Sequence, residues 1–377
     1  MTLKIQDMNK AAIIADCHFG QKSHSKSIFL SQMHFFHEQF FPYLIKHNIK
    51  TVFCLGDLVH NRNVIDIWIL QELKTQFFSF FEKNKITFYT LLGNHDIVYR
   101  NSLSHSFPKE NLKEFSYVKV IDEPTKITLG KYTIGLMPWI TDLKNYTLPD
   151  KCDILMGHFD IQGMPMLANM FSHEGHEIDE FEHYKHVFSG HYHIKSDKNN
   201  VHYVGTQYQL SWNDYNQEKG FYVIKDNYNF EYVVNSITPR FVKLHYDDSN
   251  DTVKIKVAGI DGPEHITKSE AVEIAKNNYL KIYIEKCVNQ IEFDRLYDSL
   301  LSVSKNDYKI EVINSEEIIE DYDFSDFDSS IETETSTVDL IMSYIESMIF
   351  SADIDKQLLI DLSRKEFNEA AEANKDI

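Results

Sequence analysis

Hydrophobic positions along the chain gather into short apolar runs that end in polar, chemistry-bearing residues. Five recur: Ile13-Ile14-Ala15 before Asp16-Cys17-His18, Val52 to Leu55 before Gly56-Asp57, and Ile86 to Leu91 before Gly93-Asn94-His95-Asp96, with Ile154 to Met156 before Gly157-His158 and Val187-Phe188 before Gly190-His191-Tyr192-His193. Runs of this length bounded by turn residues read as buried strands. Between them, Ser27 to Ile45 has a broad apolar face and predicts a helix kinked near Pro42, and Val64 to Glu82 predicts a second helix. The alternation through residue 235 predicts a layered α/β domain with its motifs in loops at strand ends, where open α/β sheets bind ligands. From Tyr117 to Met137, turns at Asp122-Glu123-Pro124 and Leu129-Gly130-Lys131 predict antiparallel strands added to the same domain.

A boundary falls near Ile237-Thr238-Pro239-Arg240. The pattern beyond it is strand (Val253 to Val257), helix (Lys268 to Asn278), strand (Leu280 to Ile284), helix (Gln290 to Ser302) and strand (Tyr308 to Ile313), a small α+β unit over 238–314. Residues 315–335 hold many acids and no basic residue, which reads as a flexible linker. In 336–377, Ser336 to Asp339 resembles a capping box, and two short amphipathic helices follow. Those helices either fold back on the body or dock a partner helix or coiled coil.

Composition limits the options. With 377 residues, 43% of them hydrophobic, the chain can bury a full core. It lacks an apolar stretch approaching the ~18 residues of a membrane span and lacks a signal-peptide pattern, so the cytosol is expected and a membrane partner is not. The four cysteines form no C-x-x-C pair, and reduced thiols are expected. The net charge of −19 argues against a polyanionic substrate until its distribution is considered, because 17 of those charges belong to residues 241–377 and residues 1–240 carry only −2. The histidines of 162–186 match no familiar ligand spacing and are expected in a solvated or substrate-facing loop.

Asp16 and His18 lie on one side of an extended segment and can reach one cation. Asp57, Asn94, His158, His191 and His193 bring the ligand-type residues to seven, more than one ion needs. Two divalent ions bridged by Asp57 account for the set, and thiolate-free O/N ligation favours manganese or another first-row ion over structural zinc. Two ions about 3.5–4 Å apart suit phosphoester hydrolysis. His95, beside ligand Asn94, is placed to face substrate, where it would stabilise the transition state or protonate the leaving alkoxide.

The series D-x-H, G-D, G-N-H-D, G-H and G-H-x-H resembles the calcineurin-like metallophosphoesterase superfamily. Gly56-Asp57-Leu58-Val59-His60 and Gly93-Asn94-His95-Asp96 resemble its SbcD-type DNA-repair nuclease branch, in the form encoded by phages, more than the protein phosphatases. The resemblance implies a four-layer metallophosphoesterase β-sandwich flanked by helices over 1–237. A small capping, DNA-binding domain over 238–314, the linker 315–335 and a helical docking segment over 336–377 would follow. By the same resemblance Asp16, His18, Asp57 and His193 hold the first cation, while Asp57, Asn94, His158 and His191 hold the second, with Mn2+ favoured and Mg2+ possible. His95 is then the catalytic histidine, and His60 a helper that contacts the phosphate or positions His95.

The implied activity is 3′-to-5′ exonuclease and single-strand endonuclease action on DNA. It would act with a coiled-coil ATPase of the SbcC type docked through 336–377, as a homodimer, in the cytoplasm (the host's, for a phage-encoded chain). One departure is Gln207 in Gly205-Thr206-Gln207, where relatives carry Pro. Tyr208, Gln209 and Trp212 beyond it either contact a nucleotide or pack beneath the site. A small-molecule phosphodiesterase or phosphatase would use the same ions, and an inactive scaffold should have lost ligands that are all present here.

Overall fold

A computed structural model describes residues 3–5 and 10–314, apart from 168–169, 226–228, 250–252, 260–264 and 305–309. The chain divides into two compact units, Met1–Asp323 and Phe324–Ile377. The second unit, the acidic linker and the expected docking helices lie outside the described residues.

Alternation along each central strand builds two cores at once. In the strands Ala11–Ile14, Thr51–Cys54 and Thr87–Leu91, the side chains of Ala12, Ile14, Val52, Cys54 and Phe88 join a cluster with the helices. Ala11, Ile13, Phe53, Tyr89 and Leu91 face the other way, into a cluster shared with Ile127, Ile134, Leu136, Ile154, Met156 and Phe188. Strands buried on both faces need apolar residues at every position, which is why their sequence is continuous rather than alternating. The shared cluster lies between a six-stranded and a seven-stranded sheet. The first runs in the order Phe230–Val234, Gly220–Ile224, Ala11–Ile14, Thr51–Cys54, Thr87–Leu91, Val118–Ile121. The second runs Leu3–Ile5, Thr125–Leu129, Tyr132–Met137, Ile154–His158, His186–Gly190, Val201–Tyr203, Ser196–Lys198.

The expected helices are present with two physical refinements. The first runs continuously over 26–46, and instead of kinking at Pro42 it widens over Phe36–Phe40, where the Phe41 N–H reaches back to the Phe36 carbonyl. A wide turn just before proline accommodates its missing N–H and the bulk of its ring. The second starts at Ile67, later than Val64, because the Asp66 carboxylate caps the N–H groups of Trp68 and Ile69. Phe35, Phe36, Phe40 and Phe41 are buried, with the Phe36 and Phe77 rings 4.8 Å apart at the centre of an aromatic core.

One expectation needs correction. Val118–Ile121 is parallel to Thr87–Leu91 and ends the six-stranded sheet, so the Asp122-Pro124 turn carries the chain across to the other sheet; only Thr125–Leu129 and Tyr132–Met137 form the antiparallel pair.

Beyond residue 240 lies a five-stranded sheet with its own core. Phe241–Asp247, missed in the sequence pattern, is its central strand, paired to Lys254–Ala258 and Tyr279–Lys286. Val242, Leu244, Tyr246, Leu280 and Ile282 pack against Ala271 and Ala275 of the helix Lys268–Ala275 and Phe293, Leu296 and Leu300 of Gln290–Val303. Among the described residues no helix is long and apolar enough to cross a membrane.

Candidate metal centre

Parallel pairing brings the ends of Ala11–Ile14, Thr51–Cys54 and Thr87–Leu91 to one edge of their sheet, and those of Ile154–His158 and His186–Gly190 to one edge of the other. The loops that follow are stitched to one another by main-chain bonds. Asp16 N–H donates to the Gly56 carbonyl and His18 N–H to the Asp57 carbonyl, each at 3.0 Å. His95 N–H donates to Asp57 Oδ1 and His191 N–H to Asp16 Oδ1, each at 2.9 Å. Asp16, His18, Asp57 and His191 all adopt positive φ, at 54°, 47°, 52° and 95°. Non-glycine residues in this region cost about 1–3 kcal/mol each and persist where surrounding structure and function demand them.

All nine residues singled out in the sequence come together here. Asp16, His18 and His193 can place one ligand atom each within 4.8 Å of one another, as can Asp57, His158 and His191. Asp57 Oδ2 lies between the groups, 3.8 Å from His18 Nε2 and 3.3 Å from His158 Nε2. Asn94 Oδ1 is 2.9 Å from His158 Nε2 and 3.2 Å from His191 Nδ1. His193 Nε2 faces His18 Nε2 at 2.9 Å. His95 and His60 sit on the His18 side, with His95 Nδ1 2.6 Å from the His60 carbonyl oxygen and His60 Nδ1 3.4 Å from His18 Nδ1.

The donor set fits divalent cations. Asp16 Oδ2 is buried and has no hydrogen-bond partner among the described residues, an expensive arrangement for a carboxylate oxygen unless a cation takes it. His158 donates Nδ1–H to the Leu55 carbonyl at 2.7 Å. Its Nε2 lone pair then points at two oxygens, Asn94 Oδ1 and Asp57 Oδ2, and needs a proton or a cation between them.

The electrostatics agree. Burial pushes the Asp16 carboxyl up to about 7, against the pull of His158. Burial would raise Asp57 as well, but His158 and His95 outweigh it and hold this carboxyl well below its usual range. Burial opposes charge on His158, yet the Asp57 carboxylate carries it up to about 9. Burial drives His191 and His193 down to about 4 and His18 well below its ordinary value, leaving neutral imidazoles of the kind a cation requires.

Three supporting residues, Asp96, Trp139 and Gln32, were given no role in the sequence. Asp96, fully buried, accepts N–H bonds from Leu58 and Val59 on Oδ1 and from Gly93 on Oδ2, joining two ligand loops. Its place after His95 in a G-N-H-D turn was the available signal. Trp139 packs its ring 5.2 Å from His191 and 5.7 Å from His158. Gln32 and Tyr208 donate to the Cys17 carbonyl at 2.9 and 2.8 Å, and Gln207 donates to that of Ala15. Tyr208 and Gln207 are therefore packing residues beneath the centre. Gln209 accepts the Phe241 N–H at 2.7 Å, and Trp212 packs on Phe241 at 4.9 Å, so both join the small sheet to the main body. In the 162–186 stretch, His176 is buried and bonded to Tyr146 at 3.0 Å rather than solvated.

Residues 10–195 match the profile of the calcineurin-like phosphoesterase family. The chain carries a calcineurin-like metallophosphoesterase domain and is a metal-dependent phosphoester hydrolase. It is 27% identical over 373 residues to exonuclease subunit 1 of Enterobacteria phage T4, an alignment covering 95% of this chain and 98% of the relative. Among solved structures, Pseudomonas putida nuclease MPE aligns at 15% identity over 66% of this chain and 84% of its own, with a TM-score of 0.27. A protein of unknown function from Aquifex aeolicus aligns at 19% identity over 40% of this chain and 77% of its own, with a TM-score of 0.22. Both superpositions are loose, and the assignment stands on the family profile and the site.

Proposed function

We propose that this chain is the nuclease subunit of a DNA-processing assembly, hydrolysing phosphodiesters as a 3′-to-5′ exonuclease and single-strand endonuclease at a two-cation centre. The observation that carries the reading is Asp57 Oδ2 standing between two ligand groups, Asp16/His18/His193 and Asn94/His158/His191, in a chain aligned almost end to end with a phage exonuclease subunit. Asp16, His18, Asp57 and His193 would hold the first cation, and Asp57, Asn94, His158 and His191 the second. Mixed carboxylate, amide and imidazole donors favour Mn2+ over Mg2+, which prefers an all-oxygen shell. Bound, the pair would supply Lewis-acid polarisation of a phosphoryl oxygen and a lowered water pKa.

The chain's own residues supply the rest. His95 holds its Nδ1–H on the His60 carbonyl, which orients the ring and turns Nε2 to the substrate side, where the doubly protonated imidazolium would give its Nε2 proton to the leaving 3′ or 5′ oxygen. His60 positions His95. The small sheet of 238–314 is read as the capping, DNA-binding domain, and 336–377 as the docking segment for a coiled-coil ATPase of the SbcC type. Association into a homodimer and action in the cytoplasm, the host's for a phage-encoded chain, complete the reading. A partner that supplies DNA-binding surface reconciles a net charge of −19 with a polyanionic substrate.

The test is cleavage of end-labelled single- and double-stranded DNA in Mn2+, Mg2+ or chelator, with Asp57→Ala and His95→Ser alongside. Mn2+-dependent cleavage lost in both variants is expected. Failure on DNA together with rapid turnover of nucleotide phosphomonoesters would replace this reading with a small-molecule phosphatase.

A further inference from the structure

Lys219 is a lysine almost wholly removed from water, 4% exposed, and it precedes the strand Gly220–Ile224. An ammonium is costly to bury, by several kcal/mol, unless it is paired and hydrogen-bonded, so its partners indicate its role. It has two. Nζ pairs with Asp214 Oδ1, equally buried, and donates to the His193 carbonyl at 2.8 Å. The same carbonyl also accepts the Thr206 N–H at 3.1 Å. Gly205 takes φ of +69°, and a Cβ there would sit 2.7 Å from that oxygen. The His193 main chain is thus gripped from two sides while its Nε2 faces His18 Nε2.

Asp214 carries the connection onward. Its Oδ2 accepts the N–H groups of Leu210 at 2.8 Å and Ser211 at 3.3 Å, so one carboxylate fixes both Lys219 and the 210–215 turn. Trp212 and Tyr215 on this turn meet the small sheet. Lys281 Nζ lies 4.6 Å from the Trp212 ring centre and Lys243 Nζ 4.4 Å from that of Tyr215. Lys243 and Lys281 are paired in register on adjacent strands. An unbroken series of polar and cation–aromatic contacts runs from the small sheet, through Trp212 and the Asp214–Lys219 pair, to His193.

We propose that the buried Lys219–Asp214 pair is the positioning element of His193, setting the affinity of the first cation and tying it to the seating of the small sheet on Trp212 and Tyr215. The proposal rests on the two-cation reading above. Lys219 touches neither cation nor substrate in this scheme; it acts through the backbone of His193. Groups that orient a metal ligand are commonly worth about 10- to 100-fold in metal affinity.

The experiment is a Mn2+ titration of the full chain, followed by electron paramagnetic resonance and calorimetry. His193→Ala identifies which of the two binding steps belongs to the first cation. Lys219→Met together with Asp214→Asn removes both charges, which keeps the interior free of an unpaired ion and the chain folded. The expected result is about tenfold weaker binding at the His193-dependent step, with the other step unchanged. Trp212→Ala, half-buried at the far end of the series, should weaken the same step by a smaller factor. Wild-type affinity at that step in the folded double variant overturns the positioning role, and equal weakening of both steps reduces it to a general structural one. A wild-type chain that takes up no Mn2+ would instead remove the two-cation reading itself.

Discussion

His95 Nδ1 lies 2.6 Å from the carbonyl oxygen of His60, so the main chain of one histidine sets the ring of the other. A side-chain deletion at 60 leaves that carbonyl in place. His60→Ala is expected to lower kcat by about tenfold, the low end of the range for an outer-sphere group. His95→Ala should lower it by about 10²–10⁴-fold, the range for a lost general acid. Single-turnover rates on labelled DNA separate the two. Equal losses would mean that the His60 imidazole itself meets the substrate.

Asp96 is worth more to the fold than its silence in the chemistry implies. Asp96→Ala leaves the N–H groups of Leu58, Val59 and Gly93 buried without their acceptor, and about 3 kcal/mol of stability should be lost. Asp96→Asn keeps one acceptor oxygen and should lose less. Urea unfolding gives both values, and a near-neutral Ala variant would show that the two loops are held by other means.

Gly93 approaches Asp57 so closely that an added Cβ would stand 2.1 Å from Oδ1 and 2.4 Å from the amide nitrogen. Gly93→Ala must displace the carboxylate shared by both ligand groups. Calorimetry should find Mn2+ binding weakened at both steps, with a stability loss of about 1–3 kcal/mol. Undisturbed binding would contradict the bridging position of Asp57.

The chelated protein should be most stable near pH 6.5. His18, His191 and His193 bind protons less readily folded than unfolded, so their contribution grows as pH rises from about 4 to 6.5. Asp16 and Asp96, raised to about 7 from 3.8, work the other way over that range, two carboxyls against three imidazoles. Above pH 6.5 the balance reverses, because His158, raised from 6.5 to about 9, loses its contribution through that window. Thermal unfolding across pH 4–9 in chelator tests the sign, and a monotonic rise to pH 9 would refute it.

Adding cation should then stabilise the fold by mass action, by about 2.7 kcal/mol for each site at a hundredfold excess over its Kd. Unfolding temperatures with Mn2+ and with chelator should differ accordingly. Equal temperatures would mean that the buried acids and imidazoles need no ion.

The apolar runs and the residues closing them determined the strands, their burial on two faces and the candidate ligands, because a strand covered on both sides must be apolar at every position and Asp, His and Asn at five run ends have few other uses. The small sheet was legible except for Phe241–Asp247, whose Lys243 and His245 interrupt the apolar pattern on the face turned to Trp212 and Tyr215. What only the tertiary structure decided was pairing. Val118–Ile121 joined the parallel sheet because Thr87–Leu91 offered an open edge, a matter of space rather than turn chemistry. Tyr208 and Gln207 went beneath the centre and Trp212 against the small sheet, as partners distant in sequence dictated. Lys219 carries no local pattern at all. Its role follows from Asp214 and His193 meeting it in the interior, where a charge must be matched.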